Sequence, residues 1–146
     1  MPSKSILLVE DNPDDEELTL LAFEQSNIAN TITVARDGAE ALELLFGSDG
    51  EGGKVSPSLV LLDLNLPKVS GLEVLRRIRS DARTKFLPVV ILTSSQEERD
   101  LLDSYSLGCN SYVRKPVHFA EFLEAVRQLG LYWLLLNKIP EFSASR

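Results

Sequence analysis

The chain has 146 residues, 44% apolar and 25% charged, enough to close one hydrophobic core without disulfides or a structural metal. Its 22 acidic residues against 15 basic ones give a formal net charge of -7, which argues against a surface for nucleic acid or anionic lipid. The longest apolar run, Leu131 to Leu136, is too short to span a bilayer, the N-terminus lacks a signal-peptide pattern, and the single Cys109 rules out an internal disulfide, so a reducing cytoplasm is expected.

Ser5 to Val9 is a short apolar run that ends at Glu10-Asp11-Asn12-Pro13 and reads as a strand buried on both faces. Asp14 to Glu17 suit the N-terminus of a helix through its dipole, and Leu18, Leu21, Ala22 and Gln25 mark that helix's inner face. Thr31 to Ala35 is a β-branched strand, and Asp37-Gly38 opens a helix carrying Ala41, Leu42, Leu45 and Phe46. Residues 47 to 57 hold four of the eight glycines and form a surface loop, without a phosphate-binding or dinucleotide fingerprint. Leu59 to Leu62 is a third strand, ending at Asp63, and Leu72, Leu75 and Ile78 mark a helix after Gly71. Pro88 to Thr93 is a fourth strand, followed by a helix from Glu97 to Leu107 that Gly108 stops. Ser111 to Arg114 is a fifth strand, running into Lys115-Pro116, and Phe119, Phe122, Leu123 and Val126 line a last helix.

Five β-α units with apolar strands predict a doubly wound, flavodoxin-like α/β fold. Its five-stranded parallel sheet has the order 2-1-3-4-5 and helices on both faces. In such a sheet, sites form at the carboxyl ends of the strands, beside the switch between strands 1 and 3. Glu10 and Asp11 follow strand 1, Asp63 and Asn65 follow strand 3, Thr93 ends strand 4 and Lys115 follows strand 5. Three crowded carboxylates repel one another, and Lys115 with a hard divalent cation would compensate them. Asp11, Asp63 and the backbone carbonyl of Asn65 suit Mg²⁺, with Glu10 behind them holding one of its waters. The same set suits phosphoryl transfer to an Asp carboxylate, with Lys115 and the Thr93 hydroxyl on the phosphoryl oxygens. Taken singly, each residue also has an ordinary reading: a helix cap, a loop carboxylate, a turn hydroxyl, a surface lysine.

The runs Leu7-Leu8-Val9-Glu10-Asp11-Asn12, Asp63-Leu64-Asn65-Leu66-Pro67 with Gly71, Val90-Ile91-Leu92-Thr93 and Tyr112-Val113-Arg114-Lys115-Pro116 stand in the order of one known family. They resemble the response-regulator receiver domains of bacterial two-component signalling. That resemblance implies that Asp63 accepts phosphate from a histidine kinase, that Glu10 and Asp11 are the acidic pair, and that Lys115 and Thr93 sense the phosphoryl group. It further implies a switch built from Thr93, Tyr112 and a cis peptide before Pro116. The glycine-containing insertion before strand 3 and the Leu-Tyr-Trp tail are similar to the response regulators paired with bacterial and cyanobacterial phytochromes.

An Asp nucleophile with Thr, Lys and Mg²⁺ also resembles haloacid-dehalogenase-type phosphatases. Those use a second Asp as proton shuttle where this chain has Asn65, whose amide cannot carry a proton. The chain is therefore expected to be a phosphoacceptor signalling protein, not an enzyme, although it assists its own phosphorylation and dephosphorylation. A receiver domain over residues 1 to 130 leaves an apolar extension over 131 to 146, too short for a DNA-binding domain. Leu131, Tyr132, Trp133, Leu135 and Leu136 of that extension are expected to make a homodimer contact. Output would then be an altered protein–protein interaction, with a phosphorylation-independent dimeric adaptor as the alternative.

Overall fold

The computed structural model describes residues 5–26, 31–115 and 118–129. Ten elements alternate along them: β1 (Ser5–Val9), α1 (Pro13–Ser26), β2 (Thr31–Ala35), α2 (Gly38–Phe46), β3 (Leu59–Leu62), α3 (Gly71–Ser80), β4 (Val89–Thr93), α4 (Glu98–Ser106), β5 (Ser111–Arg114) and α5 (Phe119–Leu129). The strands form one parallel sheet in the order β2-β1-β3-β4-β5, as the strand pattern predicts. Leu7 pairs with Thr33 on one side and with Val60 on the other, and Ile91 pairs with Tyr112. The three central strands are buried almost throughout, whereas β2 and β5 are edge strands with half-buried side chains.

Alternation along the strands sends side chains to two cores. Leu7, Val9, Val60, Leu62, Val89 and Ile91 pack against Ala41, Leu45 and Phe46 of α2 and Val74, Leu75 and Ile78 of α3. Ile6, Leu8, Leu59, Leu61, Val90 and Leu92 pack against Ala22 and Phe23 of α1 and Phe122 and Val126 of α5. The inner face of α1 differs from its expected stripe. Thr19, Ala22 and Phe23 are buried, while Leu21 and Gln25 are exposed. Leu18, Leu20, Leu21, Ala22 and Phe23 surround that helix, so its own pattern selects no single face. Packing on the sheet beside α5 makes the choice.

Two glycines close the carboxyl edge of the sheet. A Cβ on Gly71 would lie 2.1 Å from the Asp63 carbonyl oxygen, and one on Gly38 would lie 1.9 Å from that of Val69. No side chain fits either place, so the β3–α3 loop lies directly against the start of both helices. Asp37 caps α2 by accepting the Glu40 N–H at 2.7 Å, and Ser70 caps α3 by accepting the Glu73 N–H at 3.2 Å.

At the amino edge, Arg79 of α3 turns inward. Its guanidinium donates to the carbonyls of Gly108 at 2.8 Å and Leu87 at 2.7 Å, and to Asn110 Oδ1 at 2.9 Å. Asn110 Oδ1 also accepts the Val89 N–H at 2.8 Å. This arrangement ties α3 to the entrances of β4 and β5. Cys109 is buried beside it, and desolvation raises its thiol pKa above the ordinary value. No helix among the described residues is long and apolar enough to cross a membrane.

Candidate functional site

The site lies where β1, β3, β4 and β5 end. The strand pairing continues one residue past β1, β3 and β5 and fixes the backbone there. Glu10 N–H donates to the Ala35 carbonyl at 2.9 Å, Asp63 N–H to that of Val9 at 3.0 Å, and Lys115 N–H to that of Thr93 at 2.7 Å. Glu10, Asp63, Thr93 and Lys115 are all buried. Asp11 is exposed at the rim, yet ligand oxygens of Glu10, Asp11 and Asp63 lie within 4.8 Å of one another.

Lys115 Nζ joins these groups. It donates to Glu10 Oε1 at 2.6 Å and to Asp15 Oδ2 at 2.8 Å, and stands 3.8 Å from Asp63 Oδ2. Burial alone would lower the lysine's pKa, but Asp15, Glu10 and Asp63 outweigh it and the net shift is upward. Glu10 is pushed up to about 7, chiefly by desolvation, with the Asp63 charge adding and Lys115 opposing. Glu10, Asp15 and Asp63 thus face one ammonium, with Asp11 close beside two of them, an imbalance that suits a hard cation with oxygen ligands.

Asn65 lies exposed in the β3–α3 loop, and its N–H donates to Asp63 Oδ1 at 3.2 Å. Asn12 N–H donates to Glu10 Oε2 at 3.3 Å, while Asn12 Oδ1 accepts the N–H groups of Asp14 and Asp15 and caps α1. Thr93 Oγ1 accepts the Ser95 N–H at 3.3 Å. Ser95 Oγ in turn donates to Asp100 Oδ2 at 2.6 Å and accepts the Glu97 N–H at 3.2 Å, which links the end of β4 to the first turn of α4. The Tyr112 ring packs against the core on the α2 and α3 side; its hydroxyl is buried with no hydrogen-bond partner among the described residues, and burial raises its pKa.

The residues expected after the four strands therefore converge. The sequence reading missed Asp15, which it assigned only to the dipole of α1, and the Ser95–Asp100 contact. No local signal marks the first, because Asp15 and Lys115 are 100 positions apart. Pro116, with its expected cis peptide, lies outside the described residues, as do Leu131, Tyr132, Trp133, Leu135 and Leu136. His118 is exposed, and its carbonyl accepts the Phe122 N–H at 2.8 Å.

Known proteins are similar to this chain in sequence and in fold. The methanogenesis regulatory protein FilR2 of Methanothrix harundinacea, so described as probable, is 44% identical over 135 residues, covering 92% of this chain and 86% of FilR2. The crystal structure of the phosphorylated cyanobacterial phytochrome response regulator RcpA has a TM-score of 0.85 at 38% identity, covering 96% of this chain and 100% of RcpA. The Mn²⁺-bound form of the response regulator Rcp1, a protein known from Synechocystis, has a TM-score of 0.82 at 37% identity, covering 94% of this chain and 99% of that structure. The response regulator receiver domain family matches residues 6–127, the whole span from β1 into α5, and the chain is a member of that family of two-component signalling proteins.

Proposed function

We propose that Asp63 is the phosphoacceptor of this receiver domain and that a sensor histidine kinase is the donor. The observation that carries this reading is a buried carboxylate at the end of β3, flanked by Glu10 and Asp11, with the Lys115 ammonium 3.8 Å away. An Asp63 carboxylate oxygen attacks the phosphorus of the phosphohistidine. An O–P bond forms, the P–N bond breaks, and its electron pair returns to the imidazole. Lys115 neutralises charge on the phosphoryl oxygens, and the Thr93 hydroxyl, which now accepts from Ser95 N–H, donates to one of them.

Asp11, Asp63 and the Asn65 carbonyl would hold Mg²⁺, with Glu10 behind them. The cluster fits such an ion because its donors are hard oxygens and its carboxylates outnumber the one ammonium. Bound there, the cation supplies charge neutralisation between the carboxylate and the incoming phosphoryl group. Asn65 offers no proton shuttle, which favours an acyl phosphate that persists as a signal. The output we infer is a change in protein–protein contact, carried from Thr93 through Tyr112 and Pro116. The similarity to RcpA and Rcp1 makes a phytochrome kinase our preferred partner class. The apolar residues 131–136 are our candidate dimer contact, for which Trp133→Ala should shift sedimentation from dimer to monomer.

The direct test is intact mass after incubation with acetyl phosphate, with and without Mg²⁺. A Mg²⁺-dependent gain of a single phosphoryl group, absent in a folded Asp63→Asn variant, is the expected result. A gain that survives in Asp63→Asn would move the acceptor elsewhere.

A further inference from the structure

We propose that Asp15 is a positioning residue for the phosphoryl site, holding Lys115 away from Asp63 until a phosphoryl group arrives. The proposal deepens the phosphoacceptor reading and rests on it. An ammonium has three donors. Two of those on Lys115 are engaged at hydrogen-bond distance, by Glu10 at 2.6 Å and by Asp15 at 2.8 Å, while Asp63 stands beyond that distance at 3.8 Å. The lysine that must serve the phosphoryl group is therefore bound elsewhere in the unphosphorylated protein.

Asp15 is held in place to do this. Its N–H donates to Asn12 Oδ1 at 3.1 Å, and its carbonyl accepts the Thr19 hydroxyl at 2.8 Å, so the first turn of α1 fixes its direction. The two carboxylates on Lys115 differ in environment. The Glu10 side chain is 1% exposed and the Asp15 side chain 34%. A carboxylate released from an ion pair costs little where water can replace its partner and much where it cannot. Glu10 also belongs to the cluster of Glu10, Asp11 and Asp63, and Asp15 does not. Asp15 is thus the partner that Lys115 gives up when a dianionic phosphoryl group appears on Asp63. Its bond stabilises the unphosphorylated state and opposes loading of the site.

Affinity for beryllium trifluoride, a tetrahedral phosphoryl mimic, tests this at fixed saturating Mg²⁺ in the full chain. Asp14 provides the control: it is exposed, lies in the same turn and carries the same charge. Asp15→Ala should bind the mimic about fivefold more tightly than Asp14→Ala, since the lysine no longer surrenders a hydrogen bond. Asp15→Glu should return toward wild type. Equal affinity in the two alanine variants would reduce Asp15 to bulk surface charge and overturn the proposal.

A second measurement needs no phosphoryl mimic. The proton–nitrogen signal of the Lys115 ammonium should exchange faster with solvent in Asp15→Ala and not in Asp14→Ala; unchanged exchange in Asp15→Ala would also overturn it. If wild type and both variants bind no mimic at all, the phosphoacceptor reading falls and takes this one with it. Binding by all three with no difference removes the role of Asp15 alone.

Discussion

At the amino edge of the sheet, the half-buried Arg79 guanidinium faces backbone carbonyls and the Asn110 amide; at the carboxyl edge, buried Glu10 and Asp63 face each other across Lys115. Both places put charge where water is scarce. At the first, fixed neutral dipoles satisfy the donors, so nothing further is required of a ligand. At the second, like charges outnumber the one cation, and the excess remains available to anything positive. A charge surrounded by dipoles holds a fold together, and a buried excess of one sign is a site in waiting.

The largest expected effect breaks the amino edge. Arg79→Met removes three strong hydrogen bonds and strands the carbonyls of Gly108 and Leu87, while Asn110 Oδ1 keeps the Val89 N–H. Urea unfolding should show a loss of about 4 kcal/mol, while the surviving folded fraction still takes up phosphate from acetyl phosphate. Gly71→Ala strikes the carboxyl edge, because its Cβ would meet the Asp63 carbonyl oxygen at 2.1 Å. Stability should fall by about 3 kcal/mol and, unlike in Arg79→Met, phosphoryl uptake should fall per folded molecule as the acceptor shifts. Loss of uptake in both variants, or in neither, would erase the contrast.

Glu10 gives a pH test with a definite sign. Its folded pKa, about 7, stands above the ordinary 4.5. Between those values the native protein binds a proton that the unfolded chain releases, so this contribution is full below about pH 4.5 and is lost as pH rises to 7. In metal-free buffer, the wild type should lose about 2 kcal/mol over that window relative to Glu10→Gln. Mg²⁺ should flatten the fall, because the cation favours the ionised carboxylate. The smallest effect lies away from both edges. Arg99→Ala removes the exposed pair with Asp103 on α4 and should change stability by less than about 0.5 kcal/mol.

The fold was legible because each strand is a short apolar run and each crossover carries a helical period. Those two periods determine the class, and the carboxyl-end rule then assembles Glu10, Asp63, Thr93 and Lys115 from four separate stretches. The inner face of α1 was not legible, because apolar residues occupy too many of its directions and only the neighbouring α5 decides among them. Asp15 was hidden for a different reason. An acidic residue in a first helical turn already has a sufficient local explanation, and its second partner lies 100 positions away. Ser95 and Asp100 are close in sequence, yet their contact depends on how the β4–α4 loop bends, which no periodicity records.

The bond between Lys115 and Glu10 spans 105 positions and joins the residue after the first strand to the residue after the last. Closing so long a loop is entropically expensive until the intervening strands have assembled, so this contact depends on the completed sheet. A partly folded chain would expose Asp63 without its lysine and with its carboxylates still in water. On the proposed role of Asp63, such a chain would be a poor phosphate acceptor. Sequence distance between the two halves of the site thereby ties its assembly to completion of the sheet.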